Sequence, residues 1–316
     1  MHSIILVSGV GEKVLFKMMN ILLTGSNGFL GSYLHSYLNN TNNVFTLNRS
    51  NSDYNYNLQS DDIVFKESFE LVIHTAGIAH KKPRSYKEEI LLYESNINIT
   101  QNLLNGLSKS GRPKKFIFIS SVSVYGLIEG SSIIENSPLL AIDGYGKSKI
   151  YCEELIQKWC NNNDVICTIL RLPLVVGVNP PGNLGKMIRG IQKGYYFNIS
   201  GGLSKKSMVL ASDIARYILN VADIGGIYNL TDGYHPNFNE LSNCIAMQLG
   251  RKHLLNMPKF IARILAFIGD ISGEIFPINS NKLSKISSTL TFDDSKARNA
   301  FGWKPKKVLN EFKVYE

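Results

Sequence analysis

Three residues in this sequence have the types and spacing to do chemistry together. Tyr145 and Lys149, in Tyr145-Gly146-Lys147-Ser148-Lys149, are four apart, so on a helix they share one face. An ammonium beside a phenol favours the phenolate, which would draw the Tyr145 pKa from about 10 toward neutrality and make a base. Ser121, in Ser120-Ser121-Val122-Ser123-Val124-Tyr125-Gly126, could hydrogen-bond the same substrate oxygen and hold it near Tyr145. A Tyr-x-x-x-Lys match is unspecific alone: with 15 tyrosines, about one arises by chance. Its weight comes from the stretches that precede it.

The first of these is Asn20-Ile-Leu-Leu-Thr-Gly-Ser-Asn-Gly-Phe-Leu-Gly31. Ile21, Leu22 and Leu23 form a short apolar run suited to a strand buried on both faces. Phe29, Leu30, Tyr33, Leu34, Tyr37 and Leu38 are spaced as one face of a helix. Gly25, Gly28 and Gly31 therefore fall at a strand-to-helix turn, the context of a dinucleotide fingerprint, although the spacing is G-x-x-G-x-x-G. Gly25 would allow the tight turn, Gly28 close approach to a pyrophosphate and Gly31 helix-on-strand packing. The helix N-terminus would offer N–H donors to the phosphates.

Further elements follow in alternation. Val44–Leu47 reads as a second strand, ending at Asn48-Arg49-Ser50. An acidic residue at such a strand end grips the adenosine ribose of NAD; Asn48 stands there, and Arg49 could pair with a 2′-phosphate or be a solvated loop charge. Residues 50–62 read as loop. Leu71–His74 is another buried strand, with His74 a strand-end or core histidine, followed by the small-residue turn Thr75-Ala76-Gly77. Residues 81–95 carry mixed charge at helical spacing, and Asn96 opens a separate helical pattern that Gly111 and Pro113 end. Phe116–Ile119 is a further buried strand whose C-terminal end carries Ser121. A helix from about Lys147 to Trp159 would carry Lys149. Strands alternating with helices and no hairpin signal argue for a doubly wound parallel α/β sheet, the Rossmann arrangement.

Composition bounds the function. The 316 residues are 44% hydrophobic and 19% charged, with net charge +9 and pI near 9.2. That balance suits anionic ligands, but no Lys/Arg stripe interleaved with aromatics points to nucleic acid. Cys152, Cys160, Cys167 and Cys244 make no C-x-x-C pair and read as thiols in a reducing cytosol; no metal site is visible. Residues 1–18 read as a spurious or disordered extension before the first real strand. The apolar pattern Phe260–Ile268 is interrupted by Arg263 and is too short for a bilayer span, so a cytoplasmic protein without a membrane span is expected.

On these residues the chain resembles the extended short-chain dehydrogenase/reductase family, in its nucleotide-sugar epimerase/dehydratase branch. The resemblance runs through Thr24–Gly31, Val72–Gly77, Asn96–Leu104, Ser121, Tyr145/Lys149 and Arg171–Gly177, then Ser207–Asp213, Asp294–Arg298 and Gly302–Pro305. It implies that Ser121, Tyr145 and Lys149 are catalytic. It also implies that Gly25, Asn27, Gly28, Phe29, Leu30, Gly31, Asn48, Arg49, Ala76, Gly77, Asn96, Lys149 and Pro173 hold NAD, or NADP. Asn183 and Lys206 join Ser121 and Tyr145 as substrate-binding residues, toward the substrate diphosphate. Dehydratases carry Thr-Asp-Glu where this chain has Ser121-Val122-Ser123, which argues against elimination of water.

The expectation is a dinucleotide-binding domain over 19–175 and a mainly substrate-binding domain over 176–316, with a strand near 227–230 returning to the main sheet. The implied activity is hydride transfer at C4 of a nucleoside-diphosphate sugar, as a UDP-sugar 4-epimerase in surface polysaccharide synthesis acting as a homodimer. Thr75–His80 is similar to polysaccharide-locus members of the branch. The alternatives are an NADP-dependent 4-keto-sugar reductase or sugar dehydrogenase, and a cofactor-binding protein without catalysis.

Overall fold

The computed structural model describes residues 18–79, 83, 85–251, 254–272 and 279–315. The expectations for residues 1–17 and His80 lie outside the described residues. In chain order the elements are β1 (Asn20–Thr24), α1 (Phe29–Leu38), β2 (Asn43–Asn48), β3 (Tyr54–Asn55), β4 (Leu71–His74), α2 (Tyr86–Ser110) and β5 (Lys115–Ser121). Then come β6 (Gly130–Ile133), α3 (Gly144–Asn162), β7 (Ile166–Leu172), β8 (Leu174–Val176), α4 (Gly182–Lys193), β9 (Phe197–Ile199) and β10 (Met208–Leu210). The chain ends with α5 (Ala211–Ala222), β11 (Gly226–Asn229), α6 (Phe238–Gln248), β12 (Leu255–Met257), α7 (Lys259–Ser272), α8 (Ser280–Ser287), β13 (Leu290–Phe292), α9 (Ser295–Phe301) and α10 (Val308–Glu311).

Two compact units share these elements, and their segments interleave along the chain. The first comprises the residues up to Val124, Ala141–Arg171 and Ile214–Tyr228. Its seven-stranded sheet has the order β11-β7-β5-β4-β1-β2-β3. β1 pairs in parallel with β2 on one side and β4 on the other, so the strand order reverses at β1, where open α/β sheets bind ligands. Ile21, Leu22 and Leu23 are fully buried although successive side chains point to opposite faces, which requires both faces of β1 to be covered. One side packs Leu22, Val72, Phe116 and Phe118 with Leu103 and Leu107 of α2 and Ile156 of α3.

Two local expectations are corrected here. Residues 86–95 and the pattern from Asn96 do not form separate elements. One 25-residue helix runs through both, started by Ser85, whose side chain accepts from Glu88 N–H, and ended at Gly111. Within 50–62, Tyr54–Asn55 adds a short parallel edge strand to β2, because buried Tyr54 packs edge-on against Phe65 and Phe69.

The second unit comprises Tyr125–Leu140, Leu172–Asp213 and Asn229–Glu316. It contains three two-stranded parallel ribbons, β10–β8, β12–β9 and β13–β6. Its main core gathers Leu184, Ile188 and Ile191 of α4 with Leu241 and Ile245 of α6 and Val308 and Phe312 near the C-terminus.

Candidate functional site

The turn after β1 is built by glycines with different duties. Gly25 has φ +74°, and a Cβ there would lie 2.7 Å from Thr75 Oγ1 and 2.8 Å from Ala76 N. A Cβ on Gly31 would lie 2.0 Å from the Gly25 carbonyl oxygen, so α1 sits against the turn only because residue 31 has no side chain. A Cβ on Gly28, by contrast, would meet only that oxygen, at 3.1 Å, and otherwise point into open space. Gly28 caps α1 without a side-chain hydrogen bond, and the first turn carries no acid, so the helix N–H donors face that space. This cradle fits the diphosphate of a dinucleotide. Phe29 and Leu30, half-buried, begin the helix, and Phe29 stacks edge-on with Tyr33 at 5.7 Å.

At the end of β2, Asn48 spends its side chain on the glycine turn. Its Nδ2 donates to Ser26 Oγ at 2.7 Å, and its Oδ1 accepts from Asn27 N at 3.4 Å. Asn27 Nδ2 donates to Ser50 O at 3.3 Å. Arg49 is exposed beside them.

His74 is wholly buried, and its Nδ1 shares a 2.7 Å hydrogen bond with Thr24 Oγ1 while Nε2 faces Thr100 Oγ1 at 3.2 Å. Burial first, then the Lys149 charge, pushes its pKa down to about 3, so the ring is neutral and ties β1 to β4 and α2. Thr24 Oγ1 also accepts from Ala76 N at 3.2 Å. Asn96, mid-helix in α2, accepts from Ile78 N at 2.7 Å and donates to Ser148 Oγ at 3.1 Å. It thereby fixes the Ala76–Gly77 loop against α3. A Cβ on Gly77 would come within 3.7 Å of Lys149 Nζ.

Helix α3 begins at Gly144, earlier than the expected Lys147, because Asp143 caps it by accepting from Gly146 N at 3.0 Å. Tyr145 therefore sits in its first turn. A Cβ on Gly146 would lie 2.9 Å from Ser123 O, so the glycine lets this turn settle against the Ser121–Ser123 segment. Tyr145 lies near enough to Ser121 for that hydroxyl to act on its pKa, and the Ser121 hydroxyl contacts Ser123 Oγ at 3.0 Å. Lys149 Nζ donates to Ile119 O at 2.9 Å and lies 6.0 Å from the Tyr145 ring centroid. The structure thus brings Ser121, Tyr145 and Lys149 together.

One electrostatic expectation is corrected. Burial pushes the Tyr145 pKa up to about 12 against the opposing Ser121 hydroxyl, with Asp143 adding to the rise. Burial likewise lowers the Lys149 pKa. The Lys149 ammonium is engaged by the Ile119 carbonyl. With its pKa held that high, the phenol keeps its proton near neutrality.

One further turn along the Tyr145/Lys149 face lies Glu153, a residue the sequence reading passed over. It accepts from Ser120 Oγ at 2.5 Å and forms an ion pair with Arg171 at 2.7 Å, both side chains almost fully buried. This network joins α3 to β5 and β7 immediately beside Ser121. The i, i+4, i+8 spacing of Tyr145, Lys149 and Glu153 was the available signal.

The remaining expected residues belong to the second unit. Pro173, half-buried, separates β7 from β8. Asn183 is exposed in the first turn of α4, whose N-terminus has no side-chain cap. Lys206 bridges to Leu290, and burial, then Lys285, pushes its pKa down to about 8.

Residues 21–230 match the model of the NAD dependent epimerase/dehydratase family. The chain is 26% identical to the N-acetyl-alpha-D-glucosaminyl-diphospho-ditrans,octacis-undecaprenol 4-epimerase of Escherichia coli O157:H7, covering 89% of each. It is 26% identical to the UDP-glucose 4-epimerase of Vibrio cholerae, covering 92% of each. In fold it is similar to RMD from Pseudomonas aeruginosa complexed with NADPH, with a TM-score of 0.71 at 20% identity over 93% of this chain and 96% of the other. The family match covers well over half the chain and includes the glycine cradle, Ser121, Tyr145 and Lys149, so this protein belongs to the NAD-dependent epimerase/dehydratase family of enzymes.

Proposed function

We propose that this enzyme is a nucleoside-diphosphate-sugar 4-epimerase, of the UDP-glucose or UDP-N-acetylhexosamine type. The observation that carries the reading is the grouping of Ser121, Tyr145 and Lys149 beside Gly77, with no carboxylate at 121–123 for elimination. When bound, the dinucleotide supplies a hydride acceptor, and in its oxidised form a positive charge. Gly25, Gly28, Gly31 and the α1 N-terminus would hold its diphosphate, and Ala76, Gly77, Asn96 and Lys149 would hold the rest of it. Ser121 Oγ orients the sugar O4 by a hydrogen bond. Tyr145 Oη must first release its own proton to solvent; as the phenolate it takes the O4 proton, and as the phenol it returns it. For a phenol held up at about 12, the forward transfer needs more positive charge than Lys149 alone provides, and the return is intrinsically favoured. We assign Asn183 and Lys206 to the substrate diphosphate; Lys206, half-buried near a second lysine, suits a dianion. The two curated relatives act on sugars carried on a diphosphate.

A second reading, a 4-keto-sugar reductase using dissociable NADPH, draws on one observation: Asn48 places no carboxylate at the ribose position, and exposed Arg49 follows it. Mass spectrometry of the nucleotide released on denaturation, with UDP-sugar turnover measured with no added cofactor, separates the two. Retained NAD and cofactor-free turnover support the epimerase. An empty protein that turns over only with NADPH supports the reductase. The proposal includes a cytoplasmic location, supported by four free cysteines, and a homodimer packed through α2 and α3, supported by exposed Ile90, Leu91 and Tyr151. Sedimentation velocity checks the latter.

A further inference from the structure

Helix α7 is inside out for a surface helix. Its buried residues are the small ones, Ala262, Ala266 and Gly269, and the two alanines pack with Leu283 of α8. Its large apolar residues face outward: Phe260 and Phe267 are 64% exposed and Ile271 is 74% exposed, with Ile264 and Ile268 also exposed. At ~100° per residue these five project within an arc of ~100°, forming one continuous stripe along the helix. A globular protein normally turns such a stripe inward.

The border of the stripe carries two cations and one carboxylate. Lys259 and Arg263 are exposed on α7. Asp270 is the only carboxylate in the two helices. It is engaged in starting α8, accepting from Ser280 N at 3.0 Å and Ser280 Oγ at 2.5 Å. A second copy of this chain seated on the stripe would set Lys259 and Arg263 against their own counterparts. An anionic bilayer complements both features, taking the apolar stripe at its acyl boundary and the cations at its phosphates. Among the described residues no helix is long and apolar enough to cross a membrane, and 14-residue α7 falls short of the ~20 residues a span needs. The geometry is that of a helix lying in the interface plane.

We propose that α7 docks this protein on an anionic phospholipid surface, with Phe260, Ile264, Phe267, Ile268 and Ile271 inserted at the acyl boundary and Lys259 and Arg263 against the headgroup phosphates. Docking is a property of the second unit and stands apart from the reaction assigned above.

The test is flotation of the full chain with vesicles of phosphatidylglycerol in phosphatidylcholine and of phosphatidylcholine alone, at low and high salt. The protein should float with the anionic vesicles, and less so at high salt, where headgroup attraction is screened. F267S/I271S should lower the bound fraction by on the order of tenfold at fixed lipid. K259E/R263E, which alters only exposed charge, should do the same on anionic vesicles. Both variants should keep the wild-type melting temperature and NADH affinity. The proposal is overturned if the wild-type chain stays unbound on anionic vesicles, or if both variants float as it does. It is also overturned if the chain ignores vesicles but forms a dimer that F267S/I271S dissolves, because the stripe would then face a second copy.

Discussion

Gly28 and Gly31 both belong to the cofactor turn, yet alanine at each should fail differently. At residue 31 the new methyl would sit 2.0 Å from the Gly25 carbonyl oxygen, where ordinary contact begins near 3.4 Å, so the turn must retreat by about an ångström. Overpacking of that kind costs ~3 kcal/mol, and alanine returns ~1 kcal/mol of helix propensity, leaving a net loss of ~2 kcal/mol. At ~2–4 °C per kcal/mol the melting temperature should fall by ~4–8 °C. At residue 28 the methyl meets only one oxygen, at 3.1 Å, and the backbone there (φ −78°, ψ 166°) is open to any residue. Gly28→Ala should therefore melt within ~1–2 °C of wild type. Its methyl occupies the approach to the free N–H donors, so NADH affinity should fall at least about tenfold. Scanning fluorimetry paired with NADH fluorescence titration reads both quantities. A Gly31→Ala protein as stable as wild type, or a Gly28→Ala protein that binds NADH normally, would refute the division of labour.

Tyr145→Phe should lower kcat by ~10²–10⁴ while leaving NADH titration unchanged, since only the phenolic hydroxyl is removed. Arg171→Met strands the buried Glu153 carboxylate and should cost ~3–5 kcal/mol in urea unfolding, whereas E153L/R171M together should recover most of it. Lys206 is protonated below about 8 and loses its charge as pH rises, so KM for a sugar diphosphate should climb above pH 8. Lys206→Met should have a higher KM throughout and no such climb.

The stretch around β1 was legible because a buried strand, a glycine turn and an amphipathic helix each leave local marks. The Tyr145/Lys149 face was legible from its spacing once the glycine turn and the Ser121 strand end gave it context. What the sequence hid was set by distance along the chain or by burial. The charges between 85 and 95 looked like a separate solvated element because a helix with one wet face and one buried face reads differently along its two halves. Tyr54 looked like loop because its partners, Phe65 and Phe69, come later in the chain. Glu153 needed Arg171, on another strand, to be noticed. The direction of the Tyr145 shift depended on how completely the phenol is enclosed, a quantity that residue spacing does not carry. In α7 the apolar pattern was visible, but which side of it faced outward was not.

The central claim is that Tyr145 and the cradle work together on the C4 hydrogen of a diphosphate-linked sugar. UDP-glucose or UDP-N-acetylglucosamine deuterated at C4 should be incubated with the protein and no added cofactor, and the sugar followed by proton NMR. The account predicts a mixture of C4 epimers with deuterium retained at C4, because the same hydride leaves and returns within one bound cofactor. No epimer, or an epimer whose C4 deuterium has been exchanged for solvent hydrogen, would contradict it.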